Sequence, residues 1–539
     1  MERRAFGVWI EEHYRTVLTV GIAALVTLAW YHRFMQDDAF ISFRYAENLL
    51  RGYGLVWNPG ERVEGYSNFL WTLMIAGGMY FGFDPVPWSQ LLGLVSFMFS
   101  LWLTFRIAWS CFGSRFIACM TVFLLGWNFT FHSFATGGLE TQFQTFLFLA
   151  MIYGFVRMKN GEEPTGRWLL FFSLASACAI MTRLDSLIIS GLFGGYLAFQ
   201  ILRLEKDKRR RHFHLFVLIL PQIGVLVPWI VWKQWYYGGI LPNPFYLKTV
   251  SAFSGYFLHG LRYIVLFLIS YGWIPICVVG LIAIRRWLRE NNTFFLISSV
   301  GILLWVCYII SVGGDFMEFR MLVPIMPLMF LLVSWTVFVY FRSVVLQLVF
   351  IVLLLAGSVY HERSFTYDKN DGIEPISQLQ GHLTGDLEDW IGIGRMLDSL
   401  FADNRSVRIA TTAAGVIPFY SKLPTIDMLG VNDPWTIRNG IPVSSMVGHQ
   451  VVAPLSYLLR KRVNLVFSHP LVLPETETIR YRLLVPIDVR LPSDSISVLE
   501  LPLPGNRKVI VWYLTREKFI DTLLNEVGWS NYSLASLMK

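Results

Sequence analysis

The segment Gln36-Asp37-Asp38-Ala39-Phe40-Ile41-Ser42-Phe43-Arg44-Tyr45 places two adjacent carboxylates just after an apolar run that ends near Trp30. Such a pair at the edge of a membrane-length segment costs free energy unless it faces water, a cation or a polar substrate. Capping the following helix would need only one aspartate. The pair therefore points to chemistry: a carboxylate that takes the proton from an attacking hydroxyl, or, if a divalent cation (Mg, Mn or Ca) is used, carboxylates that hold it.

Further polar groups fall at the same ends of the apolar runs. Arg44, Glu47, Asn58, Glu61 and Glu64 follow the pair, and Thr136-Gly137-Gly138-Leu139-Glu140-Thr141, Thr182-Arg183-Leu184-Asp185, the stretch to Lys248 and Gly313-Gly314-Asp315-Phe316-Met317-Glu318-Phe319-Arg320 lie between later runs. Together they suit transfer of a sugar from a lipid phosphate. The departing phosphate needs fixed positive charge, available from Lys248, Arg320 and Arg183. Arg44, Glu64, Glu140, Asp315 and Glu318 are the groups to hold the sugar or its acceptor. Each has a plainer reading. Arg183 with Asp185 makes an ion pair, Glu140 sits as an acid at a helix N-terminus, Lys248 snorkels, and Arg320 with Asp315 and Glu318 staples a loop.

The elements that must position these groups are membrane helices. Of the 539 residues, 55% are hydrophobic and 15% charged, and the mean hydropathy is +0.50, which no soluble domain of this length matches. The net charge of +8 gives no reason to expect nucleic-acid binding, because the basic residues sit in short loops between apolar runs, as cytoplasmic loops do. Placing Arg106 and Arg115, Arg157 to Arg167, Arg203 to Arg211, Arg285 to Arg289 and Arg342 inside predicts about eleven crossings: 16–34, 88–106, 115–134, 142–157, 168–182, 187–203, 215–235, 258–284, 292–312, 321–341 and 343–360. The N-terminus is then inside and the first run is a retained anchor. The run Asn68–Phe83 does not fit the alternation and reads as an interfacial or re-entrant helix in a long first outer loop, ended by Pro85 and Pro87. Five cysteines in or beside apolar runs have no metal-ligand spacing and read as core residues.

Near His361 the composition changes. Residues 1–360 read as a transmembrane catalytic domain and 361–539 as an extracytoplasmic α/β domain, with strands at Val407–Ala410, Val463–Phe467 and Lys508–Trp512 and amphipathic helices at 386–402 and 449–461.

The run Asp37 to Leu49, continuing through Gly54-Leu55-Val56-Trp57-Asn58-Pro59-Gly60 and Val63-Glu64-Gly65-Tyr66-Ser67-Asn68, resembles the first outer loop of the GT-C membrane glycosyltransferases. Within them it is most similar to the terminal β-(1→2)-arabinofuranosyltransferases that cap cell-wall arabinan. The likeness extends through Gly137-Gly138-Leu139-Glu140-Thr141, Asp315-Phe316-Met317 with Arg320, and Pro424-Thr425-Ile426-Asp427-Met428-Leu429-Gly430. It implies a polytopic α-helical membrane enzyme of the bacterial inner membrane, with its active site on the periplasmic side. It also implies a polyprenyl-phosphate sugar donor, a glycan or glycolipid acceptor, and Asp37 or Asp38 as catalytic base. Two other functions share this face of a membrane. A polysaccharide polymerase or ligase would take a diphosphate-linked oligosaccharide; a transporter of lipid-linked glycans would show related halves and polar groups at the bilayer midplane.

Overall fold

The computed structural model describes residues 2–159, 165–249, 253–290, 292–368, 371–385, 388–444, 446–477, 485–489, 496–527 and 529–533. Helices stand at each expected crossing: Glu2–Tyr31, Pro85–Phe112, Arg115–Trp127, Thr141–Lys159, Thr165–Thr182, Leu187–Leu204, Lys208–Tyr237, Phe253–Ser270 with Ile274–Arg289, Thr293–Ser311, Arg320–Tyr340 and Val344–Ser364. The chain is a multi-pass α-helical membrane protein. By length and apolarity, however, only seven described helices qualify as spans, or eight if one bent pair is counted. Arg115–Trp127 has 13 residues, about 20 Å of helix against a hydrocarbon core of about 30 Å. Thr141–Lys159 is long enough but begins with the buried polar side chains of Thr141, Gln142, Gln144 and Thr145.

The expected crossing at 258–284 is not one helix. Tyr256–Ser270 and Ile274–Arg289 meet at 102°, broken at Gly272, whose φ of +66° favours glycine, and restarted with a proline in the first turn. The run after Asn68 is a 12-residue helix, Phe69–Tyr80, too short to cross. The cysteines are all free thiols.

The C-terminal region carries nine described strands: β1 Ile409–Thr411, β2 Thr425–Asp427, β3 Ile441–Pro442, β4 Val451–Val452, β5 Leu465–Ser468, β6 Val472–Pro474, β7 Ser497–Leu503, β8 Arg507–Tyr513 and β9 Asn531–Ser533. β1 is parallel to β2 and β5, while β8 is antiparallel to β5, β6 and β7, and β9 to β7. The buried run Leu465-Val466-Phe467-Ser468 lies mid-sheet, as an unbroken apolar strand should. The expected helix at 449–461 begins only at Leu455, after β4 and Pro454. The helix expected at 386–402 spans Trp390–Leu400, and residues 386 and 387 of that expectation lie outside the described residues.

What matters for the site is how this sheet region is fastened to the segment between the first two long helices. After Gln36 the chain forms the helix Asp37–Leu50, buried on most sides. Phe40 and Phe43 pack against Phe419, with ring centroids 5.6 and 6.1 Å apart. Asn58 donates to the Thr425 carbonyl at 2.8 Å and Asn243 to the Gly430 carbonyl at 2.8 Å. At Gly415 the loop and the sheet region touch backbone to backbone, and a Cβ there would stand 1.9 Å from the Asp37 carbonyl oxygen. Gly415→Ala is expected to cost about 1–3 kcal/mol through forced backbone displacement, read as a lower midpoint of thermal unfolding in detergent; an unchanged midpoint would contradict this packing.

Candidate active site

A cavity of about 180 Å³ opens between residues 36–68, the adjoining ends of the membrane helices and the sheet region. Asp37, Asp38, Glu140, Arg183, Asp315 and Arg320 all line it.

The two first-loop aspartates have different surroundings. Both carboxylate oxygens of Asp37 are taken, one by the backbone N–H of Gly415 at 3.0 Å and one by that of Val416 at 2.7 Å. These N–H groups open the helix Val416–Ser421, so Asp37 caps an element of the sheet region. Burial raises its pKa to about 6 against these two hydrogen bonds. The side chain of Asp38 is half-buried and accepts no hydrogen bond from any described residue. Burial, opposed by Arg320 and assisted by the negative charges of Asp37, Asp315 and Glu140, lifts it to about 7. A carboxyl with that value is matched to proton transfer near neutral pH.

The cations also differ. Arg183 is fully engaged: Nη1 donates to Glu140 at 2.8 Å, while Nε and Nη2 donate to Asp185 at 2.9 and 2.7 Å. Glu140 in turn accepts from Asn68 at 2.8 Å, and Asp185 from Gln144 at 2.7 Å. Arg320 binds Asp315 through Nε at 2.8 Å and Nη2 at 2.5 Å. Its Nη1 donates to no described residue, which leaves one edge of the guanidinium for a ligand in the cavity.

Three residues expected at the site, Arg44, Glu64 and Glu318, are engaged elsewhere. Arg44 is buried as a brace. It donates to the carbonyls of Trp57 at 2.7 Å and Leu423 at 2.8 Å, to Asn58 at 3.0 Å, and to the carbonyl of Pro418. Burial lowers its pKa to about 10. Glu318 accepts from the Ile376 N–H at 2.9 Å and pairs with His361 at 2.8 Å, 2% exposed and away from the cavity. Glu64 pairs with Lys233 at 3.0 Å, the two side chains 4 and 2% exposed. Lys248 falls in the short helix Asn243–Thr249, and its side chain lies outside the described residues.

The cavity also has a wall that sequence reasoning missed, made by Glu374, His382, Trp390, His449 and His469. Burial disfavours the charged His382 ring, but hydrogen bonds to Glu374 and Glu388 outweigh it and raise the pKa to about 10. Lys233 was missed too, although a lysine inside an apolar run is itself a signal.

Comparison with solved structures gives the architecture. ArnT from Cupriavidus metallidurans, solved bound to undecaprenyl phosphate, superposes with a TM-score of 0.58 over 93% of this chain and 98% of that one, at 13% identity. The chain shares the fold of ArnT. The oligosaccharyltransferase of Archaeoglobus fulgidus in its apo form is similar at a TM-score of 0.53, covering 85% of this chain and 69% of that one at 10% identity. In sequence, the chain is 26% identical over 353 residues to the terminal β-(1→2)-arabinofuranosyltransferase of Mycobacterium tuberculosis, covering 57% of this chain and 54% of the relative. A Corynebacterium glutamicum protein of the same description is 40% identical over 62 residues, 12% of this chain and 9% of its own. The chain thus spans about half the length of the Mycobacterium relative and a small part of the other. Residues 378–508 match a family described as Domain of unknown function (DUF8728).

Proposed function

We propose that this protein is a membrane glycosyltransferase of the bacterial inner membrane that moves a sugar, arabinofuranose by the likeness to its curated relatives, from a polyprenyl monophosphate to a glycan or glycolipid acceptor on the periplasmic side. The observation that carries this reading is the pairing, in one cavity of a GT-C fold, of a carboxylate, Asp38, that accepts no hydrogen bond from a described residue with a guanidinium, Arg320, whose Nη1 donates to none of them.

In this reading the acceptor hydroxyl oxygen forms a bond to the anomeric carbon while the bond from that carbon to the phosphate oxygen breaks. The phosphate leaves with the electron pair. Asp38 takes the hydroxyl proton, and Arg320 bears the charge that develops on the phosphate. Arg183 and Glu140 hold the cavity wall, and Asp315 aims Arg320. An oxygen-liganded cation at the aspartate pair fits poorly, because Asp37 has both oxygens on backbone N–H groups; no step needs one. The region 361–539 supplies the other cavity wall and the acceptor side.

The test is transfer from a series of radiolabelled polyprenyl-monophosphate sugars, arabinofuranose first, to cell-wall glycan in membranes that contain or lack the protein. Label reaching the glycan only with the protein supports the reading and names the donor. Transfer only from a diphosphate-linked oligosaccharide would replace it with the polymerase or ligase. In the same assay Arg320→Lys, which keeps the ion pair with Asp315 but loses the free edge, is expected to lower turnover by about 10²-fold; wild-type turnover would remove Arg320 from the phosphate.

A further inference from the structure

We propose that His382, Glu388 and His469 form a binding site for one divalent transition-metal ion of the zinc class, on the sheet-region wall of the cavity. One ligand atom from each of the three lies within 4.8 Å of the others. Donors around one tetrahedral ion at about 2.0–2.2 Å stand about 3.3–3.6 Å from one another; His469 Nε2 and Glu388 Oε1 are 3.5 Å apart, and a small movement of the His382 ring completes the set. Two imidazole nitrogens and one carboxylate oxygen suit zinc, whereas calcium and magnesium take oxygen donors.

The surroundings are those of a built ligand set. His382 has a carboxylate at each ring nitrogen: Glu374 Oε2 stands 3.2 Å from Nε2, and Glu388 is at Nδ1. Glu374 is thus placed to accept the Nε2 proton and orient the ring, leaving Nδ1 for the ion, an outer-sphere arrangement common to metal-binding histidines. Trp390 stacks on the same ring, with centroids 4.9 Å apart and planes 7° from parallel, which fixes its orientation further. The residues beside the other two ligands are held firmly. Asp389 has φ +41° and Ser468 has φ +52°, conformations that non-glycine residues adopt only when the surroundings impose them. Asp389 accepts from the Gly392 N–H at 3.0 Å and pairs with Arg507 at 2.7 Å. His469 is 56% exposed and lines the cavity with His382, so an ion here keeps coordination positions open toward the cavity.

Metal content tests this independently of sugar transfer, so failure of one reading leaves the other standing. Tag-free full-length protein in detergent, stripped with a chelator, would be equilibrated with micromolar Zn²⁺ and passed through gel filtration, then assayed for bound metal. Co²⁺ substitution would report the coordination by its visible absorption. The expected result is about one ion per chain, with affinity lower by about 10–100-fold in Glu374→Gln and by at least as much in Glu388→Gln and His469→Ala. His469 is largely exposed, so its variant should fold, with monodispersity in gel filtration as the check. Wild-type protein that retains no zinc, or a monodisperse His469→Ala that binds as tightly as wild type, would overturn the site.

Discussion

Asp38→Asn is expected to lower turnover by about 10²–10⁴-fold, the contribution of a positioned general base, while raising thermal stability above neutral pH. The two effects have one cause. The buried carboxyl has its pKa raised from 3.8 to about 7, so the folded protein binds a proton that the unfolded chain releases. The stability from this proton is fully present below pH 3.8 and is lost as pH rises through about 7, where Arg320 offsets only part of the cost of the charge. Asparagine never carries that charge, so its advantage over aspartate should appear as pH rises through this window and level off above it. The wild-type rate should climb with pH up to about 7 and then flatten, and the residual rate of the variant should lack that limb. Asp37→Asn separates the aspartates. It sets an amide against the N–H groups of Gly415 and Val416, and with a pKa raised only to about 6 it should gain less above neutral pH than Asp38→Asn does. An Asp38→Asn protein that unfolds more easily at pH 8, or that transfers sugar normally, would make Asp38 a structural acid.

Lys233→Met is expected to cost about 3–5 kcal/mol near pH 8, the usual result of removing one partner from a buried ion pair. Lys233 stands 3.0 Å from Glu64 and 4.8 Å from the Trp229 ring, on a helix whose other buried side chains are Leu218 and Trp229. Burial pushes Glu64 up to about 7 even with Lys233 beside it, so without the lysine the carboxyl must either stay charged and alone in the interior or take a proton, and both cost stability near pH 8. The deficit should shrink as pH falls and Glu64 takes a proton. Glu64→Gln/Lys233→Met should recover most of the loss, since a neutral pair leaves no orphaned charge. Thermal unfolding of the three proteins at two pH values reads all of this. A double variant as unstable as the single one would show that packing of the lysine stem, rather than charge, holds the helix.

The helices were legible because long apolar runs bounded by basic loops have one physical outcome. The break at Gly272 was not, because one glycine and one proline within a long apolar run change direction without changing hydropathy. The site was legible as residue types and only partly as roles. Asp37 and Asp38 are equivalent in the local sequence, and what separates them is a pair of N–H groups 378 and 379 positions downstream. Arg44 and Glu318 have the same charges as substrate ligands but spend them on backbone groups, a choice that only tertiary placement makes. The histidine wall escaped notice because its donors come from a helix, a turn and the end of β5, with no shared spacing to read.

The capping of Val416–Ser421 by Asp37 has a consequence for the order of events in biogenesis. The residue next to the proposed base is held by a segment translated hundreds of codons later, so the amino-terminal helices can insert while the reaction centre is still incomplete. On the proposed reading, the reaction centre is complete only when the later-made sheet region docks on the helix Asp37–Leu50. A truncated product stalled in the membrane would occupy lipid without consuming donor.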